Sequence, residues 1–200
     1  MEYFAPESDS DVKLMLSFKN GDESAFGQLI TKHSIGLINY FYRQGVDRSI
    51  AEDFCQEVFI KLYEYRKKYT ATAKFTTFLY RMAHNHFIDY CRSRKNKPHL
   101  YSIDEPISDE SEKGRKSDLI GKTENPMESL VQGELKNFLE DAINTLPPDQ
   151  REVFVLSEIH GMKYAEISEI LGIPVGTVKS RMFNSIQKLR SVLTLRGITP

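Results

Sequence analysis

The chain has 200 residues, 40% hydrophobic and 28% charged, which fits one or two soluble domains. It contains no apolar run long enough to span a bilayer and no charged-then-apolar leader, so membrane insertion is not expected and the cytoplasm is the expected location. Cys55 and Cys91 are too few for a disulfide framework or a zinc site, and both lie in apolar helical patterns, so both are expected to be buried small residues.

The periodicity is helical almost throughout, with no hairpin signal. Asp9 or Ser10 is placed to cap a first helix near Asp11–Lys19, ended by the Asn20-Gly21 turn. A second helix is expected from about Glu23 to Tyr42. A third begins near Ser49, with Ala51, Phe54, Cys55, Val58, Phe59, Leu62 and Tyr69 forming one stripe at steps of three and four. Asp53, Gln56, Glu57 and Lys61 project from its opposite side. The loop Thr70–Lys74 interrupts the pattern, and a fourth helix follows with Phe75, Phe78, Leu79, Met82, Ala83, Phe87 and Tyr90 inward. It runs into the basic string Arg92-Ser93-Arg94-Lys95-Asn96-Lys97, and Pro98 stops it. Arg81, Asn85, Asp89 and Arg92 recur at four, four and three, which aligns them on one face suited to a nucleic-acid backbone.

From Pro98 to about Pro126 the periodicity vanishes in a polar, acidic stretch read as a flexible linker. Helical pattern resumes near Met127 and ends at Pro147-Pro148. Three helices are then expected, at about Asp149–His160, Tyr164–Leu171 and Val175–Leu195. In the last two, Tyr164, Ile167 and Leu171 form an apolar stripe, and Gly172 supplies a residue tolerant of positive φ. Ile173 plugs the turn, and Pro174 opens the next helix. Val178, Met182, Ile186, Leu189 and Leu193 form the inward stripe of that helix. Lys179, Ser180, Phe183, Asn184 and Gln187 lie opposite. A short helix, a tight glycine turn and a longer helix with a polar face make a helix-turn-helix. In such a unit Lys179 can reach guanine acceptors, Asn184 can pair with adenine and Phe183 can meet a thymine methyl. Arg181 and Lys188 flank them and suit phosphates.

Charge distribution agrees with nucleic-acid binding although the net charge is only −1. Residues 61–100 carry ten basic and two acidic side chains, and residues 171–200 carry five basic and none acidic. Acidic sequence separates these blocks, and phosphate binding depends on local potential.

The run Leu146-Pro147-Pro148-Asp149-Gln150-Arg151-Glu152-Val153-Phe154, then Tyr164-Ala165-Glu166-Ile167 and Gly172-Ile173-Pro174-Val175-Gly176-Thr177-Val178-Lys179-Ser180-Arg181, resembles region four of extracytoplasmic-function (ECF) RNA polymerase sigma factors. Ala51-Glu52-Asp53-Phe54-Cys55-Gln56-Glu57-Val58-Phe59 resembles their polymerase-binding helix. Phe75-Thr76-Thr77-Phe78-Leu79-Tyr80-Arg81-Met82-Ala83-His84-Asn85, with Ile88-Asp89-Tyr90, resembles the helix beside the promoter minus-ten element. The resemblance covers roughly residues 11–97 and 127–195.

The resemblance implies an all-α protein of two small helical domains. Residues 1–97 form sigma region two, residues 98–126 a flexible acidic linker and residues 127–200 sigma region four with its helix-turn-helix. It implies binding to core RNA polymerase, through the beta-prime clamp helices and the beta flap, and to promoter DNA, with melting of the minus-ten element. A cognate anti-sigma factor is a further implied partner. No enzymatic activity, cofactor or metal is implied. The implied polymerase-binding residues are Asp53, Gln56, Glu57 and Lys61. Those at the minus-ten element are Tyr69, Thr70, Lys74, Arg81, Asn85, Asp89 and Arg92, with Tyr69 and Phe75 as stacking platforms unless they pack in the core. Those at the minus-thirty-five element are Thr177, Lys179, Ser180, Arg181, Phe183, Asn184 and Lys188. Two positions depart from the family pattern: Phe78 stands where tryptophan is usual, and Asn184 where arginine or histidine is frequent. With the sequence ending at Pro200, regulation is expected from outside or from the linker.

A helix-turn-helix regulator acting without polymerase explains residues 146–195 equally well but leaves the basic helix Arg81–Lys97 and the linker unexplained. An enzyme has little support, since no phosphate loop, nucleophile elbow or paired-cysteine array is present. His84 and His86 are spaced i,i+2 and face apart on a helix, so one exposed and one packed ring is expected. His33, His99 and His160 show no constellation.

Overall fold

The computed structural model describes residues 8–95 and 138–195, and these are helical with turns and no strand. The expected basic string beyond Lys95, the linker and the start of the helix near Met127 lie outside the described residues.

The first unit contains α1 (Ser10–Lys19), α2 (Glu23–Arg43), α3 (Arg48–Tyr65), a 3-10 turn (Arg66–Lys68) and α4 (Phe75–Lys95). Asp9, rather than Ser10, caps α1, its Oδ1 accepting from the backbone N–H groups of Asp11 and Val12. Its other oxygen accepts the N–H of Phe75 at 3.1 Å, so one carboxylate serves the starts of both α1 and α4. Asp22 caps α2 in the same way. The apolar stripes meet as expected: Val12, Met15 and Phe18 pack with Leu29, Leu37 and Phe41 of α2, the α3 stripe and Phe75, Leu79 and Ala83 of α4.

The second unit contains α5 (residues 138–144), α6 (Pro148–Phe154), α7 (Tyr164–Leu171) and α8 (Val175–Leu195). The helix expected at Asp149–His160 is two segments, because a π turn (Val155–Ile159) follows α6. In it the His160 N–H reaches back to the Val155 carbonyl, adding a residue to the turn and re-aiming His160. Gly172 ends α7 at φ 65°, as the turn chemistry requires. Nothing lies within 4 Å of the Cβ that an alanine would add there. Gly172→Ala is therefore expected to cost about 1–2 kcal/mol through backbone strain alone, read as a lower urea midpoint at unchanged m-value.

The two units pack against each other. One hydrophobic cluster runs from Val12 to Met182 across both. α4 packs on α7, and α2 on the π turn. Buried polar groups cross the interface: Glu152 of α6 accepts hydrogen bonds from the Tyr40 hydroxyl and from Nδ1 of His84, the latter at 2.7 Å. The Tyr80 hydroxyl and Nδ1 of His160 are hydrogen-bonded at 2.9 Å.

Three side-chain expectations need correction. Cys55 is buried but Cys91 is only half-buried. On α8, Ser185 takes an inward position and is fully buried, bonding the Gln150 and Arg181 carbonyls, whereas Ile186 is 41% exposed. Neither His84 nor His86 is an exposed ring: their side chains are 14% and 9% accessible and meet different partners.

Candidate nucleic-acid interface

α3 buries its apolar stripe and leaves Asp53, Gln56, Glu57 and Lys61 exposed. Two of these four are organised by a residue that the sequence reading did not assign. Nδ1 of His86, on α4, is 2.7 Å from the Lys61 ammonium, and its Nε2 is 3.4 Å from a Glu57 oxygen. Because Lys61 can only donate, Nδ1 accepts, and the neutral ring carries its proton on the side facing Glu57. Burial, reinforced by Lys61, lowers the His86 pKa and favours this state. A signal existed: His86 falls at apolar-stripe spacing between Ala83 and Tyr90, where a polar ring needs a partner.

The loop after the 3-10 turn and the first turns of α4 form a cleft. Tyr69, Thr70, Thr77, Phe78 and Arg81 line it, together with Glu169 of α7. Thr70 and Lys74 are exposed, and Arg81, Asn85, Asp89 and Arg92 are exposed along α4. That row is less basic than it reads, since Asp89 lies 3.8 Å from Arg92. Lys74 is paired with Glu166 of α7 at 2.7 Å.

Tyr69 is not an open stacking platform in this arrangement. Its ring is 1% exposed and edge-on to Phe78 at 5.2 Å. Its carbonyl accepts from Lys19 at 2.7 Å, and burial pushes its phenol pKa up to about 12. Phe75 is fully buried beside His33, the core alternative. Phe78 packs against both Tyr65 and Tyr69, so an aromatic contact persists where an indole hydrogen bond is absent.

In the helix-turn-helix, α7 turns through Gly172, and the Ser168 hydroxyl donates to the Ile173 carbonyl at 2.5 Å, fixing the turn. α8 then presents Lys179, Ser180, Phe183, Asn184 and Lys188 to solvent, with Phe183 62% exposed. A phenylalanine that open gains nothing from packing within the chain. Thr177 is half-buried in the first turn of α8. Arg181 is not a freely projecting cation, because it bonds Asp149 at 3.2 Å and its side chain is 28% accessible.

His33 and His160, read as isolated, both have partners. His33 contacts Asp11 at 3.0 Å. His160 stacks tilted on Tyr80 at 4.8 Å, and burial, then the nearby Arg43 charge, lower its pKa to about 4. Contacts so distant in sequence leave no local pattern.

Comparison with known proteins agrees with this geometry. Residues 29–97 match the family model "Sigma-70 region 2", and residues 139–189 match "Sigma-70, region 4". The chain is 35% identical to the ECF RNA polymerase sigma factor SigW of Bacillus subtilis (strain 168), covering 90% of this chain and 95% of that one. It is 30% identical to the ECF RNA polymerase sigma-E factor of Escherichia coli (strain K12), covering 90% and 92%. Among solved structures, it is similar to CnrH in complex with the cytosolic domain of CnrY, with TM-score 0.66, 22% identity and 94% and 99% coverage. It is also similar to the sigma factor RpoE in complex with the anti-sigma factor NepR from Bartonella quintana, with TM-score 0.62, 20% identity and 84% and 96% coverage.

Proposed function

Since the chain belongs to the ECF sigma factors of RNA polymerase, we propose a division of labour among its surfaces. As a sigma factor it binds core polymerase, directs it to promoters and helps melt the DNA; it is not an enzyme. In our reading, residues 1–97 form region two, residues 98–126 a linker and residues 127–200 region four.

On region two, Asp53, Gln56, Glu57 and Lys61 receive the beta-prime clamp helices. Thr70, Lys74, Arg81, Asn85, Asp89 and Arg92 line the path of the unpaired minus-ten strand, and Tyr69, packed on Phe78, forms its floor. On region four, Lys179, Ser180, Phe183 and Asn184 read the minus-thirty-five duplex in the major groove. Thr177, Arg181 and Lys188 hold phosphates, Arg181 once it leaves Asp149. The beta flap binds region four. Work in the cytoplasm follows from this role. A cognate anti-sigma factor is the regulator proposed, by analogy with the complex of RpoE and the anti-sigma factor NepR.

The observation that carries this reading is the exposed row Lys179, Phe183 and Asn184 on a helix whose first turns bury Val178, Met182 and Ser185 on the other side. Lys179→Ala is expected to change minus-thirty-five base preference while leaving assembly with core polymerase intact. A lost bidentate contact is worth about 1–3 kcal/mol of discrimination, visible when promoter libraries are transcribed by the two holoenzymes. Asp53→Ala with Gln56→Ala should do the reverse, weakening assembly while the isolated protein keeps its DNA affinity. Unchanged preference in the first case, or normal assembly in the second, removes the corresponding assignment.

A further inference from the structure

His86 occupies a place on α4 that an apolar side chain would fill without a polar atom to satisfy. Its ring is buried, edge-on to Phe54 of α3 at 4.8 Å and to Phe41 of α2 at 6.3 Å. Histidine brings two ring nitrogens into that place. One of them, Nε2, is buried without a hydrogen-bond partner among the described residues, although a Glu57 oxygen lies 3.4 Å away. A buried donor left without an acceptor is destabilising. Packing alone therefore does not account for the residue. The other nitrogen does: Nδ1 accepts from the Lys61 ammonium at 2.7 Å, reaching from α4 to the exposed face of α3. Lys61 is exposed, and a long side chain in water samples many rotamers. Here the ring takes one of its three N–H donors, leaving the others for an acceptor outside the chain. Burial, then the Lys61 charge, lower the His86 pKa, while Glu57 and Asp89 oppose them, so near pH 7 the ring is neutral and accepts.

We propose that His86 is a positioning residue for assembly with core polymerase, holding Lys61, with Glu57 on the ring's other edge, in the arrangement that the polymerase meets. The ring is enclosed by α2, α3 and α4 and acts through Lys61 rather than by touching the partner. A lysine fixed before the partner arrives has less rotamer freedom to lose on binding, and affinity rises by that difference. The chemistry that Lys61 offers calls for a carboxylate or carbonyl oxygen on the polymerase side. This inference rests on the assignment of the exposed α3 face to core polymerase.

The test titrates core polymerase into the full chain, labelled with fluorescein at its N-terminus, and reads anisotropy. Two variants divide the possible roles. His86→Leu keeps bulk beside Phe54 but removes the acceptor. His86→Asn loses ring volume, but its side-chain oxygen branches from Cγ as Nδ1 does and can still accept from Lys61. His86→Leu is expected to bind core polymerase about fivefold more weakly, with a urea midpoint at or above that of the parent. His86→Asn is expected to bind nearly as the parent does, despite a lower midpoint. The opposite order, with the leucine variant binding like the parent and the asparagine variant weakly, makes the residue a packing group and overturns the proposal. Lys61→Met, which keeps the aliphatic stem, supplies the second measurement. In that background His86→Leu should add no further loss, since the group it acts through is gone. A full additional loss overturns the proposal. If Lys61→Met alone leaves assembly unchanged, the assignment of Lys61 to the polymerase face fails and the inference falls with it. If Lys61→Met weakens assembly and His86→Leu does not, only the role of His86 fails.

Discussion

Phe54→Ala is expected to destabilise the protein by about 3–5 kcal/mol, the range for truncating a packed phenylalanine. Phe54 is 6% exposed and lies where three helices meet. Its ring is edge-on to Phe41 of α2 at 5.3 Å, and to His86 and Tyr90 of α4, each at 4.8 Å. A cavity there also frees the His86 ring that holds Lys61 and faces Glu57. Stability of a domain is typically about 5–15 kcal/mol, so the loss is a large share of the total. The urea midpoint should fall accordingly, and assembly with core polymerase should weaken because the organised α3 face loses its support. Ile60→Ala is the comparison. Ile60 is on the same helix but 58% exposed, and its truncation should shift the midpoint within about 0.5 kcal/mol. A midpoint for Phe54→Ala as mild as that for Ile60→Ala contradicts the packing described.

The second large effect is acid sensitivity. His160 has a pKa of about 4 in the packed protein against an ordinary value of 6.5. The groups facing it are Tyr40 and Arg43 from α2 and Tyr80 from α4. None is an acid that would welcome a charged ring. Between pH 6.5 and 4 the unfolded chain binds a proton at this position that the packed protein does not. Stability from this group is therefore complete above about pH 6.5 and is lost as pH falls toward 4. At about 1.4 kcal/mol per pH unit, the loss is about 2 kcal/mol by pH 5. His33 and His86 are lowered in the same direction and add to the trend. Urea unfolding at pH 7 and pH 5 measures it. His160→Gln should shrink the difference between the two pH values, and an undiminished difference would show that His160 is not responsible.

Residues with local periodicity told their own story in advance. The α3 stripe repeats at three and four, and Gly172 followed by Pro174 marks a turn that little else can make, so helices, turn and the exposed row on α8 are legible in the sequence. What the sequence concealed depends on contacts made across long separations. Glu152 reads like any solvated glutamate near the start of a helix, yet its partners are 112 and 68 residues away. The π turn that aims His160 has no propensity signature. Ser185 looks like a surface residue beside Ile186, and only the Gln150 carbonyl approaching from α6 makes the inward position polar. The packing of the two units follows from such pairs, and so a tethered pair of separate domains was the natural expectation.

The central claim is that this chain confers promoter choice on core RNA polymerase. Run-off transcription with purified core polymerase, the full chain and a pooled bacterial promoter library measures it directly. The predicted result is a small set of discrete start sites that appear only when the protein is added and share elements near minus ten and minus thirty-five. Start sites indistinguishable from those of core polymerase alone would contradict the account.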